Sequence, residues 1–273
     1  LKYYLEETKE SAVAILDKML KSKSAREAAR KAREDVRNGK SKKSEARSLS
    51  GKLTPAQARN PKINELFIVE GNSAGGTAKK SRDRKFQAIL PLRGKIINTE
   101  KATSADIFKN EEINTMIHCI GAGYGSDFQI KDINYDKVII MTDADDDGMH
   151  IRMLVLTFFM KYYPELIRNG HVYILQTPLF RVRNKKEAIY CYDAVEKEKA
   201  IRKLKTGVEI TRFKGLGEIS SDEFKDFIGD GMRLDPVTLS DEESISEIME
   251  FYMGDNTIER QNFIRGNLRS EEE

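Results

Sequence analysis

Lys137-Val138-Ile139-Ile140-Met141-Thr142-Asp143-Ala144-Asp145-Asp146-Asp147-Gly148 is the stretch whose reading decides the fold. Its first half is short, apolar and β-branched, the pattern of a strand buried on both faces. Its second half carries carboxylates at alternate positions, Asp143, Asp145 and Asp147. In open α/β sheets ligands bind just beyond the carboxyl ends of the strands, so these charges stand where such folds place their chemistry. Carboxylates at this density repel and raise one another's pKa unless a cation neutralises them. For an all-oxygen set the matching cation is a hard divalent ion, Mg²⁺ before Ca²⁺ or Mn²⁺.

A second strand ends in the same way. Leu66-Phe67-Ile68-Val69 runs into Glu70-Gly71-Asn72-Ser73-Ala74-Gly75-Gly76, with Glu70 at the terminus and small residues turning the backbone into a helix near Ser73. If the two strands are parallel neighbours, Glu70 and the three aspartates meet on one rim, with room for one or two metals. Other readings compete. Asp-x-Asp-x-Asp-Gly also opens an EF-hand loop, but that loop follows a helix and needs Glu at its twelfth position, where this chain has Leu154. Gly71 to Gly76 has the glycine spacing of a P-loop, but Thr77 stands where the phosphate-binding Lys belongs. A metal-free acidic turn and a glycine turn that merely permits close packing are the blander alternatives. The conjunction of two acidic strand ends favours the metal site.

Working outward, candidate strands fall at 66–69, 87–90, 138–141 and 171–175, with helices at 73–82, 105–121 and 149–168 between them. Such alternation implies a parallel, doubly wound sheet. Before it, Val13, Leu16 and Leu20 at helical spacing and a run of strong helix formers predict a helix over 1–38. Gly39 ends it, and 40–60 reads as a polar linker punctuated by Pro55 and Pro61. After the alternating region come a short β-pair at 188–192 and helices near 194–204, 222–227 and 242–253.

Composition narrows the classes. A 39% hydrophobic fraction, a mean hydropathy of −0.56 and no apolar run of about eighteen residues leave no membrane span. Two cysteines, Cys119 and Cys191, give no disulfide framework and fit a reducing compartment. His118, His150 and His171 are scattered without zinc spacing. The chain opens at Leu1 without a charged-then-apolar leader, which reads as non-secretory, and without Met, which reads as a fragment. The net charge of +3 hides an asymmetry. Residues 21–52 carry 12 basic and 4 acidic side chains, 79–101 carry 8 and 2, and 218–273 carry 5 and 16. Two basic blocks beside an acidic site imply a polyanion such as a phosphate backbone.

Four blocks carry a family resemblance. Glu70 to Gly76, Pro91-Leu92-Arg93-Gly94-Lys95, Thr142 to Gly148, and Arg212-Phe213-Lys214-Gly215-Leu216-Gly217-Glu218 resemble, in residue and order, the signature blocks of the B subunit of bacterial type IIA topoisomerases, gyrase and topoisomerase IV. The Glu and Asp-x-Asp elements are those of the TOPRIM fold, which primases and type IA topoisomerases share more distantly. The Arg-Phe-Lys-Gly-Leu-Gly-Glu block is specific to the type IIA branch. Asn72 is a departure, standing where the family usually has Asp.

The resemblance implies an α/β, Rossmann-like parallel sheet flanked by helices, with an N-terminal helix and a C-terminal tail region. Residues 1–60 would be the end of a transducer helix and its linker, 61–183 the TOPRIM metal-binding domain, and 184–273 the tail. It implies Mg²⁺, with Mn²⁺ or Ca²⁺ substituting in binding, held by Glu70, Asp143 and Asp145 as catalytic residues, with Asp147 in a second, looser position. Metal ions there stabilise a pentacovalent phosphate and a departing 3′ oxygen. Arg93, Lys95, Arg212 and Lys214 would hold the cleaved backbone. None of the ten tyrosines is marked as a nucleophile, and the resemblance supplies one from a partner A subunit in an A2B2 heterotetramer acting on double-stranded DNA. ATP would bind an N-terminal domain that this chain lacks. The expected location is the bacterial cytoplasm, at the nucleoid. The acidic end, with Ile245, Ile248, Met249 and Phe251 at helical spacing, is expected to face the A subunit. The missing Greek-key insertion and the wording Ile97-Asn98-Thr99-Glu100 lean toward topoisomerase IV without separating it from gyrase. Two alternatives remain at this stage: another TOPRIM enzyme, primase or nuclease, and a Ca²⁺-stabilised DNA-binding module.

Overall fold

A computed structural model of the chain describes residues 51–239 and 242–268, together with Val13, Ile15, Lys18, Met19, Ser22 and Lys23. These early residues are helical and exposed; the rest of the helix expected over 1–38, and the expected linker up to residue 50, lie outside the described residues. The described end of that linker is no free tether. Thr54 bridges Ile89 through N–H···O bonds of 2.8 and 3.0 Å, and the buried Lys52 ammonium lies 2.8 Å from the Glu112 carboxylate.

The site-bearing half alternates as expected. It runs β1 (Glu65–Glu70), α1 (Asn72–Ser81), β2 (Gln87–Leu92), α2 (Ser104–Lys109), α3 (Glu111–Ile120), β3 (Lys137–Met141), α4 (Asp146–Tyr162), α5 (Pro164–Arg168) and β4 (Val172–Leu175). β1 and β2 are buried nearly throughout and β3 beyond its first residue, which is why they read as continuous apolar runs. Two helices that the sequence suggests as single each break in two. Asn110 closes α2 and caps α3, its side chain accepting the Ile113 N–H. Pro164 cannot continue α4, because it lacks an N–H and restricts Tyr163 before it, so α5 starts afresh with Pro164 at its N-terminus.

The second half runs β5 (Phe180–Arg183), β6 (Ala188–Cys191), α6 (Ala194–Leu204), β7 (Glu209–Arg212), α7 (Ser221–Ile228), β8 (Leu234–Pro236), α8 (Glu242–Met253) and α9 (Thr257–Asn267). The main sheet has the order β2-β1-β3-β4-β8, its first four strands parallel and β8 antiparallel on β4. A separate antiparallel sheet has the order β6-β5-β7. The expected β-pair is therefore part of a three-stranded sheet, and a strand of the tail extends the parallel one.

Both faces of the main sheet are covered. Leu66, Ile68, Val138 and Ile140 face one core with Ile113, Met116, Phe158 and Phe159 from the helices. Phe67, Val69, Ile139 and Met141 face the other, which α1 fills with Ala74 and Ala78 and the tail fills with Phe213, Leu216, Phe224 and Phe227. α8 is divided: Met249 and Met253 are buried, and the Met253 carbonyl accepts Asn98 Nδ2 at 2.8 Å, while Ile248 and Tyr252 are exposed. Part of the face expected to dock a partner thus packs on this chain. Among the described residues no helix is long and apolar enough to cross a membrane.

Candidate metal centre

Parallel pairing fixes the rim. β1 lies between β2 and β3, with Glu70 opposite Leu92 and Val69 opposite Met141, so Glu70 stands one step beyond the end of β3. There it accepts the Asp143 N–H on Oε2 at 2.9 Å. Asp143 in turn accepts the Leu216 N–H on Oδ1 at 2.8 Å, which ties the fourth block to the third. Asp145 caps α4, accepting the Gly148 N–H on Oδ1 at 2.8 Å. The helix thus starts at Asp146, three residues before the expected start, because Asp145 satisfies one of its free N–H groups. Gly148 has a packing reason: a Cβ there would lie 2.1 Å from the Asp143 carbonyl oxygen. A strand precedes the acidic turn and Leu154 is buried in α4, so the EF-hand reading fails. Gly75 belongs to close packing, since a Cβ on it would meet Pro91 at 2.8 Å. Asn72 is exposed at the start of α1.

Asp147 is exposed in the first turn of α4, and Lys95, from the loop after β2, donates to its Oδ1 at 2.7 Å. Lys95 hydrogen-bonding holds the Asp147 carboxyl below its ordinary pKa. Arg93, Arg212 and Lys214 are all exposed; the Lys214 N–H donates to Glu218 at 3.0 Å, while Arg212 ends β7. Burial pushes the Glu70 carboxyl up, the Asp143 N–H opposes this, and the charges of Asp143, Asp145 and Asp147 add to the rise. Asp143 is likewise raised by burial and by Asp145 and Glu218, against the Leu216 N–H.

Among the described residues, however, no group of three or more His, Cys, Asp or Glu side chains converges as a metal-holding set. The expected meeting of Glu70 with the aspartates is a neighbourhood rather than a formed cage. Its physical reason is like-charge repulsion: Glu70, Asp143 and Asp145 each turn one oxygen onto a backbone N–H. Each carboxylate has a second oxygen besides the one so committed, and burial makes the Glu70 and Asp143 charges costly. That all-oxygen donor set fits a hard divalent cation.

Sequence reasoning missed the backing of the site. Gly215 lies over Asp143, where a Cβ would stand 2.8 Å from Oδ2, and Gly217 lies over Ser73, where a Cβ would stand 2.6 Å from Oγ. Arg152 donates to Thr142 Oγ1 through Nε and an η nitrogen at 3.3 and 3.1 Å, half-buried behind the acids. Glu218 is a further acid near Asp143. The block Arg212–Glu218 was legible as a motif, but the part that touches Asp143 is main chain, which leaves no residue pattern.

Comparison with known proteins agrees with this geometry. Residues 65–177, from the start of β1 to just past β4, match the Toprim domain model. That match takes in Glu70, Asp143, Asp145 and Asp147. Residues 205–265 match the model of the DNA gyrase B subunit carboxyl terminus, so the loop over Asp143 falls within this second match. Among curated proteins the chain is 51% identical to the B subunit of DNA topoisomerase 4 from Bacillus subtilis (strain 168), over 98% of this chain and 42% of that protein. It is 54% identical to the protein of the same name from Enterococcus faecalis, over 81% of this chain and 33% of that protein. For the Streptococcus pneumoniae protein of that name the identity is 49%, over 98% and 42%. The chain thus spans less than half the length of these relatives.

Proposed function

We propose that this chain is the cation-holding, DNA-cleaving portion of a type II topoisomerase B subunit, of topoisomerase IV rather than gyrase. The observation that carries it is the meeting of four separated blocks at one rim: Glu70 on the Asp143 N–H, Asp143 on the Leu216 N–H, Gly217 against Ser73, and Lys95 on Asp147. The names of the relatives support the choice of topoisomerase IV. In this reading Glu70, Asp143 and Asp145 hold Mg²⁺, with Asp147 at a looser second position. Bound there, Mg²⁺ supplies Lewis-acid stabilisation of charge on the phosphodiester. Thr142 and Arg152 fix the strand end, and Gly215 leaves the Asp143 carboxylate room. Arg93, Lys95, Arg212 and Lys214 contact the DNA backbone by charge, without reading bases. The attacking tyrosine comes from an A subunit in an A2B2 assembly, ATP acts in the remainder of the longer protein, and the complex works on the cytoplasmic nucleoid. Residues 1–60, 61–183 and 184–273 are proposed as transducer end with linker, Toprim domain and tail.

Reconstitution tests this. The chain mixed with a topoisomerase IV A subunit should cleave duplex DNA with Mg²⁺, leaving the A subunit attached to the DNA ends, and Glu70→Gln should abolish that product. Cleavage that persists in Glu70→Gln at limiting Mg²⁺ would refute the assignment.

A further inference from the structure

At the rim, three acids are held by rigid main chain and one by a flexible side chain. Glu70, Asp143 and Asp145 each accept a backbone N–H, from Asp143, Leu216 and Gly148. Asp147 accepts instead from the Lys95 ammonium at 2.7 Å, and the Lys95 and Asp147 side chains are largely open to water, 48% and 73% exposed. Lys95 follows Gly94, whose φ of +74 turns the chain in open space just past β2. Its four-carbon stem lets the ammonium swing away without moving the sheet. Asp147 lies in the first turn of α4, where the helix N-terminus stabilises a carboxylate whether or not a lysine is present.

We propose that Lys95 is a tethered counterion which occupies Asp147 in place of a second divalent cation and must leave for that cation to bind. The inference rests on the metal reading above and adds a regulator of its second, weaker position. An ammonium and a divalent ion cannot both take the same carboxylate oxygen, so Lys95 competes with the cation at Asp147 and not at the Glu70–Asp143 pair. Exposed ion pairs of this kind are weak, so the competition is modest and reversible.

Mn²⁺ binding to the full chain without DNA, followed by the electron paramagnetic resonance signal of the free ion, reads this directly. Lys95→Met should tighten the weaker Mn²⁺ site by up to about fivefold, the most an exposed pair supports, and leave the tighter site within error. The double variant Lys95→Met with Asp147→Asn should lose that gain and match Asp147→Asn alone. Lys101→Met removes the same charge from an exposed lysine paired with Asp255, and it should change neither site. Equal shifts in Lys95→Met and Lys101→Met would overturn the proposal, because diffuse charge would then explain both. Mn²⁺ binding that ignores Lys95 but is lost in Glu70→Gln with Asp143→Asn would overturn it while leaving the metal reading intact. Mn²⁺ binding that ignores Glu70 and Asp143 as well would overturn both.

Discussion

Gly215→Ala tests whether the tail loop sets the geometry of the acids. Gly215 has φ −145° and ψ 159°, extended backbone that alanine adopts freely, so the substitution adds no backbone strain. Its added Cβ would stand 2.8 Å from Asp143 Oδ2 and 3.2 Å from Cγ, closer than van der Waals contact allows. Asp143 is too short to fold away, and rotation pulls Oδ1 off the Leu216 N–H, now at 2.8 Å. Overpacking of this kind costs about 1–3 kcal/mol. Removing glycine from the unfolded chain offsets about 0.4–1 kcal/mol of that. The net is a loss of about 1–2 kcal/mol, or roughly 2–8 °C in Tm for a domain of this size. Mn²⁺ affinity should fall about tenfold, equivalent to about 1.4 kcal/mol of misplaced carboxylate. Gly76→Ala is the control, because a Cβ there meets open space within α1 and should stabilise by up to about 1 kcal/mol. If Gly215→Ala melts with the wild type and binds Mn²⁺ equally well, the loop does not press on Asp143 and the argument fails.

Glu70→Gln combined with Asp143→Asn should raise the cation-free stability near neutral pH. Burial raises both carboxyls, so their contribution is intact below the ordinary carboxylate range and is lost as pH rises through the raised folded values. Urea midpoints should therefore favour the variant at pH 7.5 and converge with the wild type at pH 4; a gap that widens on acidification contradicts this. Glu223 behaves oppositely. Burial would raise it, but hydrogen bonds from Tyr190, Arg181 and Ser220 prevail and hold it at about 2, so its contribution is present above the ordinary value and lost as pH falls toward 2. Glu223→Gln should be less stable than wild type at pH 7 with a flatter acid limb, and identical acid limbs would remove the network from the stability argument. Reversing the charge of Lys214 should weaken duplex binding, read by fluorescence anisotropy at several salt concentrations, more than reversing Lys42. Equal losses would mean a diffuse positive surface.

Legibility in the sequence followed burial. β1, β2 and β3 are covered on both faces, so each prints a continuous apolar run, and the acidic ends of β1 and β3 mark Glu70, Asp143 and Asp145 as candidates. α6 was bounded correctly, with Asp193 capping it through the Glu196 N–H. β5 is a short, half-covered strand with Arg181 and Arg183 at alternate positions, β7 is equally short and mostly exposed with Glu209 and Arg212 at its ends, and β8 is three residues ending in Pro236 at a sheet edge. At three or four residues each they are too short for a pattern to stand out, and their pairing is decided by partners far along the chain. The same holds for the site. Side-chain donors advertise themselves by residue type, whereas the Leu216 N–H and the closeness of Gly215 are main-chain facts that emerge only after the tail has packed.

That packing bears on where a foldable unit ends. A division between 183 and 184 follows a change in the strand pattern, but the core crosses it. Phe213, Leu216, Ile219, Phe224, Phe227 and Ile228 are buried against Phe67, Val69, Ile139 and Met141. Burying each such side chain stabilises by about 1.5–3 kcal/mol, so these six contribute roughly 9–18 kcal/mol before the entropy of ordering them. A domain's net stability is only about 5–15 kcal/mol, so losing this burial leaves little margin. β8 adds the closing strand on β4 with three paired residues, and Ser81 Oγ donates to the Ser221 carbonyl at 2.7 Å. A chain of residues 51–183 should therefore lack a cooperative thermal transition and be cleaved rapidly by protease. Residues 51–239 should melt as one unit, since they keep both faces of the sheet covered. Circular dichroism melts and limited proteolysis of the two fragments decide the matter. A sharp, reversible melt of 51–183 would show that the main sheet folds without the tail, and the loop over Asp143 would then be an attachment to a finished site rather than a part of it.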